Sequence, residues 1–166
     1  MARLLTILLA LLAVTVILAC GAKGAPSSTE TPQQQAGDQS LTRVNTGNNV
    51  AMEAVWITQA DLASLPQELL KDYPSAQYVL IHVKLDTHSV DLSKYEMARL
   101  STLKGRAAST IAAAAWLDIS NSGHHRDGVL VFPGMSNSQW ETQEGSTVLT
   151  VKDIAGVAER TFQWQF

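Results

Sequence analysis

The run from Gln77 to Leu85 limits what this chain can fold into more than any other stretch. Tyr78, Leu80, His82 and Lys84 form one face, while Val79, Ile81, Val83 and Leu85 form a second that is wholly apolar. A period of two marks an extended strand with one face buried. A slip of one residue would turn every apolar side chain to water, so the register is fixed. Such a strand needs paired neighbours and a second layer over its apolar face. His82 sits on the wetter face and reads as a rim histidine.

The rest of the chain repeats this logic. Val50, Met52, Ala54 and Trp56 alternate with Ala51, Glu53, Val55 and Ile57, and Val129 to Phe132 is an apolar run stopped by Pro133-Gly134. Ser146 to Ile154 alternates, as does Arg160 to Phe166, whose Phe162, Trp164 and Phe166 share a face. Tyr95 to Leu103 reads as a strand, followed by a turn at Lys104-Gly105-Arg106. Ala107 to Ala115 has alanine's helix propensity, yet Ile111, Trp116, Leu117 and Ile119 suit a strand. We read it as strand. Thr58 to Asp61 has capping-box spacing and Pro66 suits a first helical turn, so one short helix is expected within residues 61–72. Met135 to Gly145 reads as a polar loop. About seven short strands separated by turn signals predict an all-β fold, an antiparallel β-sandwich with one short helical insertion.

The N-terminus carries a different signal. Arg3 precedes an almost unbroken apolar run from Leu4 to Leu18. That run is short of the roughly 20 residues that a membrane span needs and fits an export signal. It ends Ile17-Leu18-Ala19-Cys20-Gly21, which resembles a bacterial lipobox with Ile17 at the −3 position. The resemblance implies cleavage before Cys20 and acyl chains on that cysteine, more than one being needed for stable anchoring. It also accounts for an odd cysteine in an exported chain. A single cysteine excludes an internal disulfide, multi-cysteine zinc sites and iron–sulfur clusters. The expected organisation is a signal peptide over residues 1–19, a flexible tether over 20–48 and a β-sandwich domain over 49–166. The tether is rich in Gly, Pro, Ser, Thr and Gln and cannot bury a core. It would reach about 30 Å. The domain, about 115 residues, can support one core. The expected localisation is therefore the extracytoplasmic side of the bacterial cell envelope, lipid-anchored. A net charge of −3 and a pI near 5.7 give no nucleic-acid signature.

Candidate chemistry concentrates in two stretches, Asp86-Thr87-His88-Ser89-Val90-Asp91-Leu92 and Gly123-His124-His125-Arg126-Asp127-Gly128. His88, His124 and His125 with Asp86 or Asp91 would supply the nitrogen and oxygen ligands that suit Zn²⁺ or Cu²⁺. Met52, Met97 or Met135 could add a thioether for Cu(I). Adjacent histidines on a strand point to opposite faces, so both reach one ion only if a turn holds them. The alternative is that these histidines brace the turns in which they sit. Ser89 or Thr87 beside His88, with Asp91 near, contains the residue types of a hydrolytic triad, but no nucleophile-elbow motif accompanies them. Asp153, Glu159, Arg160 and Arg126 are candidates for strand-end ion pairs, worth about 0–1 kcal/mol when exposed. Trp116 and Trp164 read as core or rim packing, with a ligand platform as the alternative.

Those two histidine stretches, together with Trp116, the run Gly128 to Pro133, Gly156-Val157-Ala158-Glu159-Arg160 and Trp164, resemble a group of exported bacterial domains without established activity. The resemblance covers roughly Val50 to Phe166, departs at the longer alanine-rich approach to Trp116, and implies an immunoglobulin-like sandwich with its histidine loops together. The expected function is a lipid-anchored, non-enzymatic binding or interaction module of the cell envelope. Its partners would be the membrane through its anchor and an envelope protein. A Zn- or Cu-binding protein using the histidine loops is the alternative, and a hydrolase comes third.

Overall fold

The computed structural model describes residues 40–105 and 109–166. The expected signal peptide, Cys20 and most of the expected tether lie outside the described residues, as do Arg106 and the first residues of the alanine-rich run.

The period-two run forms the central strand β3 (Tyr78–Thr87), antiparallel to β2 (Val50–Trp56) on one side and β7 (His125–Pro133) on the other. β1 (Thr42–Gly47) pairs outside β2, and β6 (Ala115–Asn121) pairs outside β7. The second sheet holds β4 (Ser101–Lys104), β5 (Thr110–Ala112), β8 (Ser146–Ile154) and β9 (Val157–Gln165). The spatial orders are β1-β2-β3-β7-β6 and β5-β4-β8-β9. The order β2-β3-β7-β6 facing β4-β8-β9 is that of the A-B-E-D and C-F-G sheets of an immunoglobulin fold, with β5 in the place of C′. The protein is an all-β, immunoglobulin-like sandwich. It has nine strands among the described residues rather than about seven. One extra strand is β1, so the folded domain begins inside the stretch read as tether. Its pattern has no buried apolar stripe because β1 lies at a sheet edge and none of its residues is fully buried.

Val79, Ile81, Val83 and Leu85 are all buried against Leu103, Leu149, Val151, Phe162 and Trp164 of the second sheet. The opposite face of the first sheet is divided. Leu80, Val129 and Val131 are covered by Ile57 and Leu65. These belong to the helical insertion, which is a 3-10 turn (Asp61–Ser64) followed by α1 (Gln67–Leu70) rather than one helix. Pro66 forces Leu65 into extended backbone, which breaks the helix there. Near the other end of β3 the same face is open to solvent.

Other differences have local causes. Residues 95–103 contain a helical turn, α2 (Met97–Leu100), before β4. The alanine-rich strand is interrupted because the chain changes sheets: Ala113 N donates to Ser101 O at 3.1 Å and Ala114 N to Val131 O at 2.8 Å. Small side chains let the backbone cross between layers. The expected loop 135–145 holds α3 (Asn137–Glu141), capped reciprocally by Ser136 and Gln139.

Arg160 is the largest departure from expectation. It is no strand-end ion pair but fully buried, on the same face of β9 as Phe162 and Trp164. Its guanidinium donates to Gly47 O at 2.7 Å, Asn45 Oδ1 at 3.1 Å and Val50 O at 3.4 Å, while Nε finds no partner. Burial pulls its pKa below the ordinary value, and Tyr95 acts in the other direction. The oxygens that receive it come from the β1–β2 hairpin, whose central residues Asn48 and Asn49 have φ of 47° and 63°. Positive φ at both positions is the type I′ turn that matches strand twist. Asn48 Nδ2 donates to Ala155 O at 3.0 Å, so the tip also meets the β8–β9 turn. Replacing Arg160 with Ala should cost about 3 kcal/mol or more, from the cavity and the unpaired carbonyls. Arg160→Met keeps most of the volume and should cost less. Urea unfolding of both variants measures this, and an unchanged midpoint for Arg160→Ala would contradict it.

Candidate functional site

The two histidine stretches do come together. Thr87 N donates to His124 O at 3.0 Å and Leu92 N to Gly123 O at 2.6 Å, zipping the loop after β3 to the turn before β7. Gly123 has φ +82°, and its N–H donates to Asn121 Oδ1 at 3.2 Å. The turn ends before His125, which already belongs to β7.

This geometry separates the adjacent histidines. His124 Nδ1 donates to Val90 O at 3.1 Å. His125 sits directly opposite Asp86 in the β3–β7 register, its Nδ1 3.1 Å from Asp86 Oδ1. Asp91 is turned to Ser93, accepting from its N at 3.0 Å and its Oγ at 2.6 Å. The Ser93 hydroxyl, then the Ser93 amide, hold the Asp91 carboxyl below the usual carboxylate range. His88 lies beside His125, ring centroids 6.5 Å apart and planes at 82°. The five expected metal-site residues therefore split. Asp86, His88 and His125 are neighbours, whereas His124 and Asp91 are committed to backbone and to Ser93. Among the described residues no group of three His, Cys, Asp or Glu is arranged to hold a metal ion. The methionines stand apart from these loops: Met52 and Met97 are core residues, and Met135 sulfur accepts from Gln143 Nε2 at 3.0 Å.

The triad reading fails on geometry. Thr87 is buried, with Oγ1 donating to Asn49 O at 2.7 Å and accepting from Ser89 N at 3.3 Å. Among the described residues no hydroxyl hydrogen-bonds to a histidine ring.

Under the turn lies a cluster that sequence reasoning assembled only in part. Arg126 is buried, with Nε 3.0 Å from Asp118 Oδ1. One of its terminal nitrogens donates to Tyr95 O at 2.5 Å and Leu92 O at 3.2 Å. Its guanidinium carbon lies 5.2 Å from the Trp116 ring centroid, within cation–π range. Trp116 Nε1 donates to Asp118 Oδ1 at 2.7 Å. Asp118 was missed, though residues two apart on a strand share a face. Half-buried Trp116 packs against the core, so it is a rim residue, and Trp164 is fully buried. Glu159 pairs with Lys152 at 3.3 Å on the surface. His82 pairs with Asp127, its diagonal neighbour across β3 and β7.

A groove of about 650 Å³, lined by Leu62, Gln67, Leu70 and Lys71 among others, opens in the helical insertion at the other end of β3. It contains no histidine or carboxylate.

No family model matches the chain, and no curated protein matches it. Among solved structures it is similar to a crystal structure of a DUF4426 family protein from Pseudomonas aeruginosa PAO1, at 16% identity and a TM-score of 0.47, covering 76% of this chain and 93% of that one.

Two outcomes follow from this geometry. A Cβ on Gly128 would lie 2.4 Å from the Trp116 ring and 2.5 Å from Leu117 O. Gly128→Ala should therefore destabilise the fold by about 1–3 kcal/mol, read as a lowered melting temperature, and should displace the Trp116 fluorescence. Asp91, with its lowered pKa, contributes stability that is present above the ordinary carboxylate pKa and lost as pH falls through the lowered folded value. Ser93→Ala should raise the Asp91 pKa in an NMR titration, and an unmoved titration would refute the assignment.

Proposed function

We propose that this protein is a lipid-anchored interaction module of the bacterial cell envelope, held at the membrane through acylated Cys20, and that it works by binding a protein partner rather than by catalysis. The observation that carries the reading is that the buried hydroxyl and the carboxylate of the candidate triad, Thr87 and Asp91, are each hydrogen-bonded into the turns that they stabilise, as is the neighbouring His124. Groups spent on holding loops together are poorly placed to activate a substrate.

The surface left for contact is the uncovered part of the first sheet's outer face. It carries Val44, which at 65% exposure is the exposed large hydrophobic among the described residues. Beside it run Glu53 and Lys84, 3.7 Å apart, then His82 with Asp127, then Asp86 with His125. A mixed polar face around an exposed apolar residue is compatible with a protein contact of modest size.

Cys20→Ser should abolish acyl labelling and move the protein from the membrane fraction to the soluble one. Retention in the membrane would refute the anchor. For the contact face, a photo-crosslinking residue placed at Val44 should give a discrete adduct with an envelope protein in cells, and the same residue at Thr161 on the second sheet should not. Equal labelling from both positions would refute the assignment of the face.

A further inference from the structure

The histidines of the domain differ in what holds them. His82 is paired with Asp127, His124 with Val90 O, and His125 with Asp86. His88 is exposed, and among the described residues its ring has no hydrogen-bond partner. Its neighbour is the ring of His125, 6.5 Å away centroid to centroid and nearly perpendicular. The near nitrogen of His125, Nδ1, faces Asp86, which leaves Nε2 as the nitrogen able to take another partner.

A histidine that ligates a metal through one nitrogen usually offers the other to a carboxylate, which fixes the tautomer and raises the basicity of the ligating nitrogen. His125 with Asp86 has that form, and His88 supplies a second imidazole at its side. We propose that His88 and Nε2 of His125 form a two-imidazole site for a borderline divalent ion, Cu²⁺ or Zn²⁺, with Asp86 as the orienting carboxylate behind His125. Imidazole favours these ions over Ca²⁺ or Mg²⁺, which want oxygen ligands. Bonds of about 2.0–2.1 Å to one ion require the two rings to turn toward each other from their present separation. The exposure of both side chains, 57% for His125, leaves room for this. Water completes the coordination shell, so the bound ion keeps open positions and exchanges readily. The inference stands apart from the interaction reading, because it needs neither the anchor nor a protein partner.

The test is titration of the full chain carrying Cys20→Ser, so that no thiol competes, with Cu²⁺ or Zn²⁺ alone. Calorimetry gives the affinity and Cu²⁺ electron paramagnetic resonance counts the ligating nitrogens. The expected result is one ion per chain with two imidazole nitrogens. His88→Gln and His125→Gln should each weaken binding by about tenfold or more, and Asp86→Asn by about tenfold, the usual effect of losing an orienting carboxylate. His82→Gln should leave the affinity unchanged. Circular dichroism checks that each variant is folded, and His88→Gln removes an exposed ring whose loss should not affect folding. Absence of binding at millimolar metal overturns the proposal. So does unchanged affinity in His88→Gln, or an equal loss in His82→Gln.

Discussion

A guanidinium with no carboxylate beside it sits where the two sheets of this sandwich meet. Arg160 is taken out of water on β9 and given oxygen partners from the β1–β2 hairpin of the other sheet. Burying a charge is costly unless its donors are satisfied. The hairpin can only satisfy them if its backbone turns tightly, which Asn48 and Asn49 allow by accepting positive φ. The turn, the docking of Asn48 on Ala155 and the register of β1 are therefore linked to one side chain. Apolar contacts hold the layers together, but they are non-directional. The arginine supplies direction.

Arg126 plays a comparable part farther along, next to the histidine loops. It joins Asp118 on β6 to the carbonyls of Leu92 and Tyr95, and so fixes the loop that carries His88 and Asp91. The backbone bonds from Thr87 to His124 and from Leu92 to Gly123 close the same unit. Asp86, His88 and His125 project from this rigid base into solvent. Their surroundings differ from those of His124, one residue away, because strand β7 begins between the two adjacent histidines and sends their side chains in different directions.

Much of the fold was legible because it follows from alternation. The apolar face of β3, the aromatic face of β9 and the break at Pro133-Gly134 led directly to a sandwich. What was hidden lacked a local signal. β1 has no apolar stripe, since an edge strand need not bury one. The capping pair Ser136 and Gln139 was present in the sequence but masked by polar composition. Arg160 was read as exposed because arginine usually is, and only the approach of the second hairpin makes its burial tolerable. At the candidate site the meeting of the two histidine stretches was what the resemblance implied, and residue types alone marked them only as candidate chemistry. The partition of His125 from His124 was not legible, as it depends on where pairing with Asp86 begins.

One consequence concerns mechanical load. Arg43 Nε donates to Gln163 O at 2.6 Å, and Trp164 Nε1 donates to Leu41 O at 2.8 Å. The first strand of the domain is thus fastened to the last strand, in the opposite sheet, at the point where the chain enters the fold. Tension applied through the preceding segment would not peel β1 from β2 alone. It would have to break contacts to β9 at the same time, so both layers share the strain. The first strand is therefore held by hydrogen bonds to both sheets rather than to β2 alone.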